Sequence, residues 1–211
     1  MSSRHPKSLV LFIVCGAWLC LTLSGSAALW RYKQTAGADL LAPKDFPAAS
    51  KIRLASDRPT LLMFVHPRCA CTRASVGELE RLLTRVNGRV DTRIYMFRPQ
   101  GSPAGWALGD LWQTAAAIPG VRVYEDEGGQ EARLFHSETS GHLALYDARG
   151  ARLFDGGITP SRGHAGDSAG QAALLALLRE QSPIDRHTEI FGCRIRNSHE
   201  GALCGDKPCA R

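Results

Sequence analysis

The residues best placed to do chemistry are two cysteines one residue apart, Cys69 and Cys71, with only Ala70 between them. Their thiolates can exchange disulfides or bind soft metals, and both activities need the deprotonated sulfur. Arg68, Arg73 and His66 place positive charge nearby, which favours a thiolate. Three further cysteines, Cys193, Cys204 and Cys209, lie near the C-terminus. With Cys69 and Cys71 they make an odd number, so at least one thiol is free, intermolecular or a metal ligand. His164 is a candidate proton shuttle or metal ligand, or else an exposed loop histidine. His66 reads as a structural residue capping a strand end, and His136, His142, His187 and His199 have no positional argument.

The elements that must position the pair are legible on both sides of it. Leu61 to Val65 is an apolar run of the length of a buried strand. His66-Pro67 breaks it, because proline cannot donate to the ladder. From Thr72 the pattern turns helical, with Val76, Leu79, Leu82, Leu83 and Val86 at three- and four-residue steps, and Asn87-Gly88 stops the helix. The cysteines therefore sit at a helix N-terminus, where unpaired N–H groups and the helix dipole stabilise negative charge and lower a thiol pKa.

Beyond this junction, Val90 to Phe97 predicts a second strand, Leu108 to Ile118 a helix, Val121 to Tyr124 a short strand and Gln130 to Phe135 a helical turn. His142 to Asp147 and Ala151 to Asp155 predict a β-hairpin. A loop from Ile158 leads to a helix over Ser168 to Gln181, with Asp167 as N-cap. The division is a membrane anchor or signal segment over 1–33, a linker over 34–51, a domain over 52–182 and a cysteine-containing tail over 183–211. The tail is too polar for a core of its own. Cys204 and Cys209 can close a small disulfide loop, or the tail can fold back so that its cysteines join Cys69 and Cys71.

With 211 residues, 44% of them hydrophobic, the chain can bury one sizeable core. Its net charge of +6 is spread among acidic residues with no basic stripe, which argues against nucleic-acid binding. At the N-terminus, Arg4, His5 and Lys7 precede an apolar run from Leu9 to Trp30, long enough to span a bilayer. Small residues from Ser24 to Ala28 offer a signal-peptide alternative, but the run continues through them, favouring an uncleaved anchor. Positive charge before the span favours a cytoplasmic N-terminus, so the domain is expected in the periplasm, held by one pass through the inner membrane. Cys15 and Cys20 read as membrane-buried small hydrophobes.

The order β-α-β-α-β, hairpin, helix gives a central mixed sheet flanked by helices, an α/β fold. This order, with cysteines at the first strand-to-helix junction, resembles the thioredoxin-like superfamily over roughly Arg58 to Gln181. Residues His66 to Ser75 and Gly157 to His164 look most like its membrane-anchored periplasmic members, and among them a small group labelled RedB. The resemblance implies a thiol–disulfide oxidoreductase acting on protein thiols or disulfides, with Cys69 attacking and Cys71 resolving, and no cofactor. Thr72 takes the place where the family's second cysteine usually stands, so a Cys69–Cys71 disulfide closes a smaller, more strained and more oxidising ring. The family's cis-proline before the hairpin is replaced by Gly141. Its loss leaves room for a second reading, a copper or iron–sulfur protein using Cys69, Cys71, His164 and Cys193. By the family topology, the loop carrying Arg162, His164 and Asp167 lies at the cysteine end of the sheet. A third reading is a degenerate domain that only binds a partner. Peroxidase chemistry fits poorly, because the threonine follows the cysteines.

Overall fold

The computed structural model describes residues 6–38 and 40–196, with the side chains of 6–8 excepted. Two compact units divide at Thr35 and Ala36. The first is a single helix, α1 (Pro6–Gln34), exposed along the described part of its length. Its Leu9–Gln34 stretch has a mean hydropathy of 2.1 and is long and apolar enough to cross a membrane. At 1.5 Å per residue it measures about 39 Å, against roughly 30 Å of hydrocarbon.

The second unit is built on a six-stranded mixed sheet. Its elements are β1 (Thr60–Val65), α2 (Thr72–Val86), β2 (Asp91–Arg98), α3 (Asp110–Ala116), β3 (Val121–Glu127), α4 (Gln130–Leu134), β4 (His142–Tyr146), β5 (Arg152–Gly156), α5 (Ala169–Leu178) and β6 (His187–Thr188). The sheet order is β3-β2-β1-β4-β5-β6. β1 is central, parallel to β2 and antiparallel to β4. It is buried along its whole length, and that is why it reads as a continuous apolar run rather than an alternating one.

Alternate β1 side chains feed two cores. Leu61, Met63 and Val65 pack with Val76, Leu79 and Leu82 of α2 and with Leu174 and Leu178 of α5. Leu62 and Phe64 face Ala42, Ile52, Phe135, Tyr146 and Ile195 on the other side. Residues 40–46, expected to belong to a linker, lie against the hairpin: Ala42 donates to Asp155 Oδ1 (3.1 Å), and Phe46 donates to the Gly150 carbonyl (2.8 Å). Burial of the Phe46 ring edge-on to Phe135 and Tyr146 explains this, since the weak pattern of the segment hides one good anchor. Helix α5 is capped by Ser168, whose hydroxyl accepts from the Gln171 N–H, one residue beyond the expected cap Asp167.

One buried polar network ties this unit together. Asp155 accepts from His142 Nε2 (2.8 Å) and lies 3.2 Å from His187 Nδ1, while His142 Nδ1 pairs with the Ser137 hydroxyl. Burial pushes the Asp155 carboxyl up, but the hydrogen bond and charge of His142 and the Ala42 N–H outweigh it and leave it below the ordinary 3.8. A carboxyl depressed on folding stabilises fully above its unfolded pKa and loses that contribution as pH falls through the folded value, here below 3.8. Asp155→Ala strands the His142 ring and the Ala42 N–H. It is expected to cost about 3–5 kcal/mol at neutral pH, read as a lower denaturant midpoint at unchanged slope. A cost under about 1 kcal/mol would mean that the network is not a structural tie.

Candidate functional site

The turn between β1 and α2 is tight. Cys69 donates its N–H to the His66 carbonyl (3.0 Å), Thr72 to that of Cys69 (3.2 Å) and Ala74 to that of Cys71 (3.2 Å). Cys71 already has helical backbone angles (φ −64°, ψ −33°) and carries no side-chain cap. Both sulfurs therefore stand at the N-terminal end of α2, and the Thr72 N–H acts on the Cys69 thiol. Cys69 is buried and Cys71 half-buried, so the outer sulfur faces solvent more than the inner one.

The tail supplies a third sulfur. Residues 193–195 run antiparallel to 138–140, with Ser140 donating to the Cys193 carbonyl (2.8 Å), Ile195 to the Glu138 carbonyl (2.8 Å), and a bridge between Thr139 and Arg194. Gly192 makes this approach possible: a Cβ there would stand 1.9 Å from the Ser140 carbonyl oxygen. Arg162 donates to the Gly192 carbonyl. The result places the Cys69, Cys71 and Cys193 sulfurs all within 4.8 Å of one another. The Cys193 N–H points at the Cys69 sulfur (3.4 Å). All three are free thiols, as are Cys15 and Cys20 in α1.

The electrostatics separate the three. Burial raises the Cys69 thiol, but hydrogen bonds from the side chains and N–H groups of Thr72 and Cys193 prevail and hold it below the ordinary thiol value. Burial and the charge on Cys69 raise Cys71, with Arg162 opposing. Cys193 is pushed up to about 12 by burial and by its hydrogen bond to Cys69. The cluster thus favours a single thiolate, centred on Cys69, with two protonated thiols in reach.

The supporting residues fall into two groups. Thr72 is buried, its hydroxyl 2.6 Å from that of Ser140, which also accepts the His66 N–H (2.8 Å). Gly141 sits beside them at φ +95°, donating to the Phe64 carbonyl (2.8 Å), and an added Cβ would meet the Ser75 hydroxyl at 3.0 Å. No described peptide bond is cis. The loop over 161–164 passes the cysteines, a Cβ added at Gly163 falling 4.0 Å from the Cys71 Cα, and buried Glu78 of α2 anchors it by accepting from the Gly166 N–H (2.8 Å).

The second group points away. Arg68 lies over the Trp106 ring (4.3 Å) and Arg73 pairs with Asp110 (3.3 Å). His66 stacks on Phe97, and burial followed by the charge of Arg68 holds it below its ordinary pKa. His164 is exposed, with Nδ1 2.8 Å from the Arg162 carbonyl, and it does not join the sulfur group. Cys204, Cys209 and His199 fall outside the described residues.

Cys193 was expected beside the pair only in the second, metal-binding reading, while one feature escaped the sequence reading altogether. Ser137, His142 and Asp155 form a hydroxyl–imidazole–carboxylate chain, but all three are fully buried, so no substrate can meet the serine.

No protein-family model and no curated protein matches the sequence. Among solved structures, the chain is similar to a hypothetical protein from Sinorhizobium meliloti 1021, with TM-score 0.55 and 15% identity over 77% of this chain and 97% of that one. It is also similar to an uncharacterized conserved protein from Geobacillus kaustophilus, with TM-score 0.54 and 18% identity over 79% and 92%. A secreted Mycobacterium tuberculosis disulfide oxidoreductase, described as homologous to E. coli DsbE, aligns at TM-score 0.42 and 15% identity over 59% and 83%. A central β1 running into a cysteine-bearing helix, parallel to β2 and antiparallel to the β4–β5 hairpin, gives this chain the fold of the thioredoxin-like superfamily.

Proposed function

We propose that this chain is a thiol–disulfide oxidoreductase, tethered by α1 to the inner membrane with its domain in the periplasm, acting on protein thiols and disulfides. The observation that carries the reading is the buried Cys69 sulfur, favoured as thiolate and within 4.8 Å of the protonated Cys71 thiol. In the reducing direction the Cys69 thiolate attacks a substrate disulfide. Its S–S bond breaks, one substrate sulfur leaves as a thiolate and takes a proton, and a mixed disulfide forms. Cys71 then loses its proton and attacks the Cys69 sulfur. The second substrate thiol leaves, and the enzyme holds a Cys69–Cys71 disulfide, two electrons having passed to the substrate. The reverse sequence oxidises a dithiol.

The other residues support these steps. Thr72 and the Cys193 N–H stabilise the Cys69 thiolate, and Arg162 acts on the charge at Cys71. Gly141 and Ser140 shape the wall facing the sulfurs, and Arg68 and His66 hold the turn. The test is thiol alkylation of the reduced full chain across a series of redox buffers, read peptide by peptide. Cys69 and Cys71 are expected to titrate together as one two-electron couple. A midpoint nearer the roughly −120 mV of a strong oxidase than the roughly −270 mV of a reductase is expected from the short ring. Independent titration of the two peptides would overturn the reading.

A further inference from the structure

The three sulfurs meet a need that disulfide exchange does not have. A C-x-C pair suffices to attack and resolve, yet the tail is bound across the domain by strand pairing, a close-fitting glycine and Arg162 so as to bring in Cys193. Three thiolates around one centre are the donor set of a soft metal ion. Three equal metal–sulfur bonds of about 2.3 Å in a plane require sulfurs about 4 Å apart, and these sulfurs all lie within 4.8 Å of one another. Cys71 and Cys193 are both half-buried, which leaves an entry path on their side.

The geometry points to a three-thiolate site for Cu(I) formed by Cys69, Cys71 and Cys193. Among the described residues no fourth donor joins the group: His164 is exposed and engaged with the Arg162 carbonyl. A structural zinc site takes four protein ligands and an iron–sulfur cluster takes four cysteines, so among the described residues both are a ligand short. Three thiolates and one monovalent cation leave a net charge of −2. The Cys193 N–H on the Cys69 sulfur and the positive charge of Arg162 near Cys71 offset it, as does the positive end of the α2 dipole. Each thiol still protonated gives its proton to solvent as the metal enters. The site does not rest on the oxidoreductase reading, but the two are linked, since a Cys69–Cys71 disulfide removes two of the three donors.

The test uses the reduced full chain in detergent micelles under anaerobic conditions, with Cu(I) presented against a chromophoric Cu(I) chelator. One Cu(I) per chain is expected to resist the chelator, with three sulfur neighbours and no nitrogen by X-ray absorption. Cys193→Ser is expected to weaken binding by at least ~100-fold, more than the loss of an outer-shell partner costs. Circular dichroism of that variant separates this from misfolding, because Cys193 is held by its backbone. His164→Ala and the double variant Cys204→Ser, Cys209→Ser are expected to bind as the parent does. Wild-type affinity in Cys193→Ser, a nitrogen neighbour lost in His164→Ala, weakened binding in the double variant, or no competition with the chelator would each overturn the site. Formation of the Cys69–Cys71 disulfide in the copper-free protein is scored separately, so the failure of one reading is distinguishable from that of the other.

Discussion

Cys69→Ser abolishes disulfide exchange, while Cys71→Ser halts it half-way: this is the largest effect expected of any pair of substitutions in the chain. The hydroxyl of a serine is not ionised at neutral pH and cannot replace a thiolate, so a loss of at least ~1,000-fold is expected at Cys69. In Cys71→Ser the first attack still proceeds, and the mixed disulfide accumulates as an adduct seen on non-reducing gels and lost on reduction. Cys69 lies below the ordinary thiol value whereas Cys71 and Cys193 lie above it. As pH rises, iodoacetamide is therefore expected to modify Cys69 first and Cys193 last. Equal activity in Cys69→Ser, or adducts accumulating on Cys71 in the parent, would reverse the assigned roles. Release of the adduct by Cys193 in the Cys71→Ser background would show the tail cysteine acting as a resolving thiol.

Gly192→Ala is expected to unseat the tail with nearly as large an effect on the site. The new methyl carbon would stand 1.9 Å from the Ser140 carbonyl oxygen and 3.0 Å from its carbon, both backbone atoms. Ser140 cannot retreat, because its hydroxyl accepts from His66 and meets Thr72. The tail strand must therefore lift, and it takes with it Cys193 and the buried Ile195. Exposing the Ile195 side chain costs about 1.5–3 kcal/mol. Cys193 alkylation is expected to quicken at least ~10-fold, about the factor that 1.4 kcal/mol of lost protection represents. Unchanged protection of Cys193 in a folded Gly192→Ala chain would mean that the strand is held elsewhere.

The difference between the two predictions reflects what a sequence pattern can carry. The β1–α2 junction was legible because burial on both faces writes a continuous apolar run, and a helix packed on one face writes a three-four period. Both signals are local, so Cys69, Cys71 and Thr72 could be set at a helix start from residues alone. The placement of Cys193 depends on backbone pairing between 193–195 and 138–140, which leaves no side-chain period to read. Phe46 was missed for a related reason: one aromatic anchor in an otherwise featureless stretch makes no pattern. The loop carrying Arg162 and His164 was expected at the cysteine end from topology, and Gly163 does face Cys71. The direction of each side chain there is decided by local bonds. Arg162 turns to the Gly192 carbonyl, and the His164 ring stays in solvent beside its own loop.

The bond from the Cys193 N–H to the Cys69 sulfur spans 124 residues of chain. Such a contact closes a long loop and is expected to form late in folding. A ribosome delivers Cys69 and Cys71 first, within a strand–helix unit that has its own apolar face, and delivers Cys193 only near the end. Through most of synthesis the molecule therefore holds a two-sulfur half-site open to whatever oxidant or metal is present. The third sulfur is a latecomer whose arrival dates the mature state. The state of the pair when the tail docks sets which form of the finished protein appears first, a history that equilibrium measurements on purified chains erase.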